Sequence, residues 1–582
     1  MRIFSREIGK DRYFVRKAFK RFFWPAMLSS FWLAVAAVAD SIYVGNGIGA
    51  AGLSAIGFGQ PVYMFYNILS YGFSIGGSIH FASRLAEGHE EEGNRIFLSI
   101  LKLLLVLYAV TVSLGLFFLP QIVQLLGAAP GDETTLTYIR LQFTFIPLMF
   151  LQGPFYYFVH ADNAPRTAAA AMSLGGIADV CFGYIFIMRM HLGVAGSVYA
   201  TVCGAILMLS ITGWHILTHR GTLHLCAMKM DWKCIPVSAQ TGFATSIQYL
   251  FQFVTLIAVN RLLMSMGGTF AVAAFDVVYS VSELCVAIPE AAVIATEPMI
   301  STYRSERNTG NILTTLDLSL IWAAIFSLPV LLVMCIRPWA LSLLFGMISG
   351  AERQYTMRGI FVYATSIIPM VVNVVFCGYY QAVLQEWLSY LITFLRSFLF
   401  FLSSLVICSF GGMDTVWFVF LAAEVLTILC WVPAAIFRGG FLQLKDINTG
   451  QAKSVVIDSS SRDISEVTQI LQNFCREKGS TPKQVMYVGL TVEEICCVVA
   501  ERFKSMLGEI YVQATVVVDE GETTLYLRDN VYAYNSLGEN TENIRLDEGE
   551  GLDLVGVRIV QKNAKQFYYR RYSGFNTLVI RL

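Results

Sequence analysis

Between Arg21 and Arg84 the chain runs for 62 residues with a single Asp, Glu, Lys or Arg, and that residue is Asp40. An apolar stretch this long exceeds what a soluble core needs. At about 1.5 Å per helical residue it suffices for two passes through a hydrocarbon layer roughly 30 Å thick. A carboxylate inside such a layer is costly unless it faces a bundle interior or a wet cavity. Asp40 therefore reads as an ion or substrate site, or else as a structural carboxylate tied into helix packing.

The rest of the chain extends this pattern. Of 582 residues, 56% are hydrophobic and 14% charged, which excludes an ordinary soluble domain. The formal net charge is zero, so no global field points to nucleic acid. The 12 cysteines are scattered and contain no C-x-x-C pair, so they read as small buried hydrophobes or reduced thiols. Apolar runs of about 20 residues are predicted to span near 22–44, 56–81, 97–119, 136–159, 167–188, 194–217, 239–264, 270–296, 313–335, 357–383, 387–409 and 413–437. Twelve spans return both termini to one side. The basic residues of the arm before residue 22, and of the connections at 84–95, 218–237, 302–312 and 438–445, place that side in the cytoplasm.

The two halves echo each other at an offset of about 218 residues, Gly49–Phe58 against Gly267–Phe275. Because each half holds an even number of spans, both insert with the same orientation, an arrangement found in carriers that rock two bundles about a central site. After residue 445 the sequence turns polar. Helices are expected from Asp463 to about Gly479 and from Thr481 to about Lys504, then strands near 510–518 and 523–529, a helix at 552–564 and a hairpin at 566–572 and 576–582. The fold class expected is thus an all-α polytopic membrane protein of two parallel six-helix repeats with a C-terminal α/β sandwich domain. Its parts are a basic arm (1–21), a first bundle (22–217), a connection (218–238), a second bundle (239–437), a linker (438–450) and a cytoplasmic domain (451–582).

Span eight carries Asp276, Glu283, Glu290 and Glu297 at seven-residue intervals. A straight helix drifts only about 20° per heptad, so the four share one face. Asp276 and Glu297 fit the two interfaces, while Glu283 and Glu290 are too deep and too short to reach either. They line an aqueous cavity between the halves, or they pair as structural carboxylates. Asp179 is the other deep acid of the first half, among Gly175, Gly176 and Gly183, which permit close helix approach. Gln248 and Gln252, one turn apart, and Asn373 are either packing amides or contacts to a substrate or ion. Tyr43 joins them only if a cavity opens beside it.

The fragments Asp40-Ser-Ile-Tyr-Val-Gly-Asn-Gly-Ile-Gly49, Leu53–Pro61, Ala82–Gly88, Ala161-Asp-Asn-Ala-Pro165 and Gly193-Val-Ala-Gly196, in this order and spacing, resemble the multidrug and toxic compound extrusion (MATE) transporters, closest to their DinF-like branch. The resemblance covers about residues 15–440. It implies no enzyme and no cofactor, but export of organic, often cationic and aromatic compounds through a cell membrane, driven by inward H+ or Na+. Asp40 occupies the family's coupling-ion position. On the fifth span the family's Asn and Asp positions read Asp179 and Gly183, so a carboxylate has moved one turn along the same face. Some members carry a glutamate where Gln252 stands, which argues against a second-half sodium site of their kind. The alternatives are a lipid-linked oligosaccharide flippase, disfavoured by the acidic stripe, and a transporter-derived receptor signalling through its tail.

The tail resembles the histidine-kinase-type ATP-binding fold of anti-sigma factors, through Val492–Val498, Arg528–Val531 and Gly551–Val555. All three motifs are degraded. Glu494 and Asp529 retain the acids of the pattern and Gly551 its first glycine, whereas Val498, Val531 and Asp553 replace an expected metal ligand and two glycines. The resemblance therefore implies a regulatory or protein-binding module, with a cytoplasmic regulatory protein as a possible partner at residues 451–582, rather than an ATPase.

Overall fold

The computed structural model describes residues 12–582 except 87–89, 163, 219–220, 225–229, 349, 445–448, 459–460, 503–509, 520, 533–554 and 573–574. Each expected span coincides with a long helix. The first half comprises α1 (Tyr13–Gly47), α2 (Ala50–Ala86), α3 (Glu90–Phe117), α4 (Glu133–Ala161), α5 (Arg166–Arg189) and α6 (Val194–Leu217). The second comprises α7 (Cys234–Gly267), α8 (Thr269–Ser305), α9 (Thr309–Ile336), α10 (Gly350–Ala382), α11 (Glu386–Ser409) and α12 (Met413–Gly439). Among the described residues, nine of these helices are long and apolar enough to cross a membrane. The helix of α1 begins at Tyr13, inside the basic arm, because Phe14, Phe19 and Phe23 give that segment a buried apolar side.

The repeat is visible in the backbone. Positive-φ glycines end or open helices in pairs 219 residues apart, Gly49 with Gly268, Gly127 with Gly346 and Gly193 with Gly412. Helix α5 finishes in a π turn at Tyr184–Arg189, and α11 carries one at Leu395–Leu399, the equivalent helix of the other half. The halves meet along two equivalent helix pairs, α1 on α8 and α2 on α7, with α2 on α8 as a further contact between them. Exchanging the halves converts one pair into the other, as a two-fold relation requires. Glycine sets the closeness of the second pair: a Cβ on Gly242 would stand 1.6 Å from the Gly72 carbonyl oxygen, and one on Gly76 1.9 Å from that of Ser238. At the far end of the bundle Asn46 donates to the Leu344 carbonyl at 2.6 Å and Asn260 to that of Gly57 at 2.9 Å.

The tail is a five-stranded antiparallel sheet in the order β1-β2-β3-β5-β4, from β1 (Ala452–Asp458), β2 (Tyr511–Asp519), β3 (Glu522–Asp529), β4 (Gln566–Tyr572) and β5 (Phe575–Arg581). Helices α13 (Ser461–Glu477), α14 (Pro482–Arg502) and α15 (Val555–Asn563) follow the expected positions. Strand β1 is an addition to the expected set: Ala452 to Asp458 pairs in register with Val517 to Tyr511. The sheet is covered on both faces. Val512, Ala514, Val516, Leu525 and Leu527 pack against α13 and α14, while Tyr511 and Phe575 join the core of the bundle. Consequently β2 is buried at eight consecutive residues, unlike a sheet with one wet face.

The docking contacts fall on two helices. Tyr13 at the start of α1 packs at a tilt against Tyr511 (ring centroids 4.7 Å apart) and accepts a hydrogen bond from Asn530 at 3.0 Å, and Phe14 meets Phe575 at 5.1 Å. After α8, buried Glu306 pairs with buried Arg528, and Arg307 pairs with Asp519 and donates to Gln451. A buried ion pair between bundle and tail marks a fixed joint, because either partner alone would be left charged and dry.

Candidate functional site

Two groups of polar residues lie within the bundle. The first surrounds Asp40. Ser197 of α6 donates to Asp40 Oδ2 at 2.9 Å. Asp179 of α5 is close enough to Asp40 to interact with it electrostatically, and its Oδ1 is buried without a hydrogen-bond partner among the described residues. A Cβ on Gly183 would lie 3.4 Å from Asp40 Oδ1 and 3.1 Å from the Tyr43 ring. A carboxylate at position 183 would therefore crowd Asp40, and placing it at 179 moves the second charge one turn away. Gly175 serves close packing on α6, where its Cβ would come 3.0 Å from the Gly204 carbonyl oxygen, whereas Gly176 faces open space.

Asp276 belongs with this cluster, not at an interface. It is 2% exposed and accepts from Ser41, the neighbour of Asp40, at 3.2 Å, while Ser280 donates to Ser41 at 3.1 Å. Tyr138 of α4 lies within electrostatic reach of Asp40, Asp179 and Asp276 together. Three acids from three helices and both halves thus converge about one tyrosine. Tyr43 lies here as well, edge-on to Tyr184.

The second group lines a cavity of about 610 Å³, within the usual size of small-molecule sites. Glu283, Glu290, Gln248, Gln252 and Asn373 all border it, so five of the six expected cavity residues come together. Tyr43 does not; it stands with Asp40 in the first half. The cavity also lies inside the second half rather than between the halves, with Met64 of α2 reaching it from across the seam. Glu283 and Glu290 are exposed to this space, and Tyr249, Phe275, Tyr279, Tyr363, Phe401 and Phe420 supply aromatic walls. The acidic stripe of α8 is consequently divided. Asp276 turns to α1, Glu283 and Glu290 to the cavity, and Glu297 is half-buried outside its lining. Helix α8 packs against α1, α2, α9 and α10, so one heptad face meets different neighbours along its 37 residues.

A network at the cavity wall escaped the motif reading. Arg396, on the π turn of α11, donates from Nε to Glu424 Oε1 of α12 at 2.5 Å. Asn373 donates to Glu424 Oε2 at 2.6 Å and accepts from Trp431 Nε1 at 2.8 Å. Asn373 is therefore a packing amide and a cavity residue at once. The signal was present: Arg396 and Glu424 are lone charges of opposite sign deep in consecutive apolar spans. With Arg396 paired to Glu424, the cavity still holds two further acids, Glu283 and Glu290, among aromatic faces, which suits a cation carrying apolar surface.

In the tail, both Glu494 carboxylate oxygens accept backbone N–H bonds at the start of α15, from Gly556 and Val557 at 2.8 Å each. That helix N-terminus, where the resemblance would put phosphate, is occupied by the protein's own carboxylate. Asp529 Oδ1 accepts from the Val531 N–H at 3.2 Å and from Asn576 at 2.7 Å. Gly551 and Asp553 lie outside the described residues.

The MatE family model matches residues 25–185, which include Asp40 and Asp179. No curated protein matches the chain. Among solved structures, an inward-facing multidrug resistance MATE family transporter of the MOP superfamily superposes with a TM-score of 0.66 at 19% identity, over 73% of this chain and 99% of that one. An outward-facing structure of such a transporter gives 0.57 at 19% identity, over 76% and 98%. The MATE multidrug transporter DinF-BH in complex with R6G gives 0.59 at 22% identity, over 74% and 97%. The bundle of this multi-pass membrane protein therefore has the fold of the MATE multidrug transporters.

Proposed function

We propose that this protein is a MATE transporter of the DinF-like kind, a secondary active antiporter that exports organic cations with aromatic character in exchange for inward H+ or Na+. The observation that carries the reading is the cavity: two exposed carboxylates, Glu283 and Glu290, set in aromatic walls at mid-helix depth. In this reading the Asp40 and Asp179 pair takes the coupling ion. The pair can do so because Asp179 keeps an unpartnered carboxylate oxygen beside Asp40. Both termini face the cytoplasm of a cell membrane, and the tail is a regulatory module fixed to the bundle. The complex of a transporter of the same fold with R6G supports small-molecule cargo.

The test is flux in proteoliposomes with pH and sodium gradients imposed separately. Uptake of a labelled aromatic cation against one gradient, and counterflow exchange without any gradient, are expected. Binding of the cation with no flux under either gradient overturns the antiporter reading in favour of a receptor.

A further inference from the structure

The first three turns of α1 have two unlike sides. Phe14, Val15, Ala18, Phe19 and Phe23 are buried, whereas Arg16, Lys17, Lys20 and Arg21 are exposed. At about 100° per residue the four basic positions fall within an arc of roughly 140°. Followed along the helix, the same arc leads to Trp24, Leu28 and Phe31, which are 53%, 73% and 45% exposed. Large apolar side chains turned outward on a spanning helix meet lipid, and Trp favours its interfacial layer. The basic residues therefore continue a lipid-facing surface, not the seam of the bundle. We propose that this face of α1 binds the headgroups of anionic phospholipids.

Their height on the helix fits that partner. Lys20 and Arg21 lie about 5 Å along the axis from Trp24, and Arg16 and Lys17 about 11 Å, at about 1.5 Å per residue. The headgroup layer on each side of the hydrocarbon is roughly 5–8 Å deep, and long basic side chains bend back toward it along their apolar stems.

The charge balance fits it too. Among the first 21 residues Glu7 and Asp11 are the only acids, against eight Lys and Arg, so the segment stays strongly positive with both acids counted. Among the described residues, none of the four exposed basic residues is in an ion pair. That includes the exposed Asp317 of α9, the helix whose Trp322 packs on Phe19 with ring centroids 5.6 Å apart. Lys17 is partly engaged, donating to the Tyr13 hydroxyl at 3.0 Å and lying over the Phe575 ring of the tail. The headgroup contacts thus adjoin the turn of α1 that carries the tail joint.

The inference rests on the bundle lying in a bilayer and not on what it transports. Its test measures phosphatidylglycerol bound to the full-length protein in detergent by native mass spectrometry, with phosphatidylcholine as the neutral comparison. The wild type should bind phosphatidylglycerol in preference. Each Lys or Arg near an anionic surface contributes about fivefold in affinity, near 1 kcal/mol. The triple variant Arg16→Gln, Lys20→Gln, Arg21→Gln should therefore need at least about tenfold more phosphatidylglycerol for the same occupancy. Arg16→Lys with Arg21→Lys keeps the charge and should bind as the wild type does. A second triple variant, Arg95→Gln, Lys233→Gln, Arg438→Gln, removes exposed basic residues from other connections and should also keep wild-type binding. Equal loss in both triple variants, which would mean a general attraction without a site, overturns the proposal. So does wild-type binding in the α1 triple variant, or no preference of the wild type for phosphatidylglycerol.

Discussion

In the first half of the bundle Asp40 accepts from Ser197 at 2.9 Å, beside Asp179 and where Gly183 lets α5 approach closely, whereas in the second half Glu283 and Glu290 stand on the wall of a cavity of about 610 Å³. The two halves share their helix order, their positive-φ glycines and a π turn in equivalent helices. What differs is what each acid faces: Ser197 and Asp179 in the first half, an aromatic-walled cavity in the second. In the proposed function, the carboxylate with a serine donor and an acidic neighbour takes the proton or small ion. A carboxylate among six aromatic side chains has room for an organic molecule. A duplicated fold can thus hold two acid sites of different reach, joined through Asp276 and Ser41 at the seam.

If the division holds, Asp40→Asn should abolish gradient-driven flux while cation binding to the second-half cavity persists, measured by equilibrium binding beside proteoliposome transport. Loss of binding along with flux would merge the two sites into one. Next in size is Arg396→Met, which strands Glu424, itself 7% exposed. Breaking one side of a buried pair costs about 3–5 kcal/mol, so a large drop in melting temperature is expected, mostly restored by adding Glu424→Gln. No such change in melting would show Arg396 to be a cavity group free to meet cargo, and would give the second half a mixed-charge site.

The span positions were readable because bilayer thickness imposes a length on every apolar run, and the repeat because Gly49 and Gly268 occupy matching turns. Heptad spacing put Glu283 and Glu290 on one helix face, and both border the same cavity. It could not reveal that Asp276, on the same face, meets α1, since side-chain period says nothing of which helix lies opposite at each level. The Arg396 and Glu424 pair was written in the sequence as two isolated charges, but their contact depends on how α11 and α12 pack. Strand β1 was missed because its seven residues follow a linker, and its partner β2 lies more than fifty residues away. The burial of both sheet faces was equally hidden, because the positions of Tyr511, Gln513 and Arg528 in two short strands do not show that the bundle covers them.

Ser41→Ala probes the seam itself. It removes the hydroxyl that donates to Asp276 and accepts from Ser280, leaving a buried acceptor short of a donor at a cost of about 1–3 kcal/mol. If Asp276 is only structural, melting falls and the ion dependence of flux is unchanged. A shift in that dependence as large as that of Ser197→Ala would enrol Asp276 in the ion cluster and extend it across both halves.

The smallest expected effect makes the sharpest distinction. Glu283→Gln and Glu290→Gln keep size and hydrogen bonding while removing charge, so each should raise the apparent KM for a monovalent aromatic cation about tenfold, near 1.4 kcal/mol, with a neutral aromatic cargo unaffected. Coupling, read as flux per imposed gradient, should stay at the wild-type value because Asp40 is untouched. Were either substitution to alter coupling and leave KM unchanged, the carboxylates of α8 would be ion carriers, and the contrast between a narrow ion site and a wide cargo site would reverse.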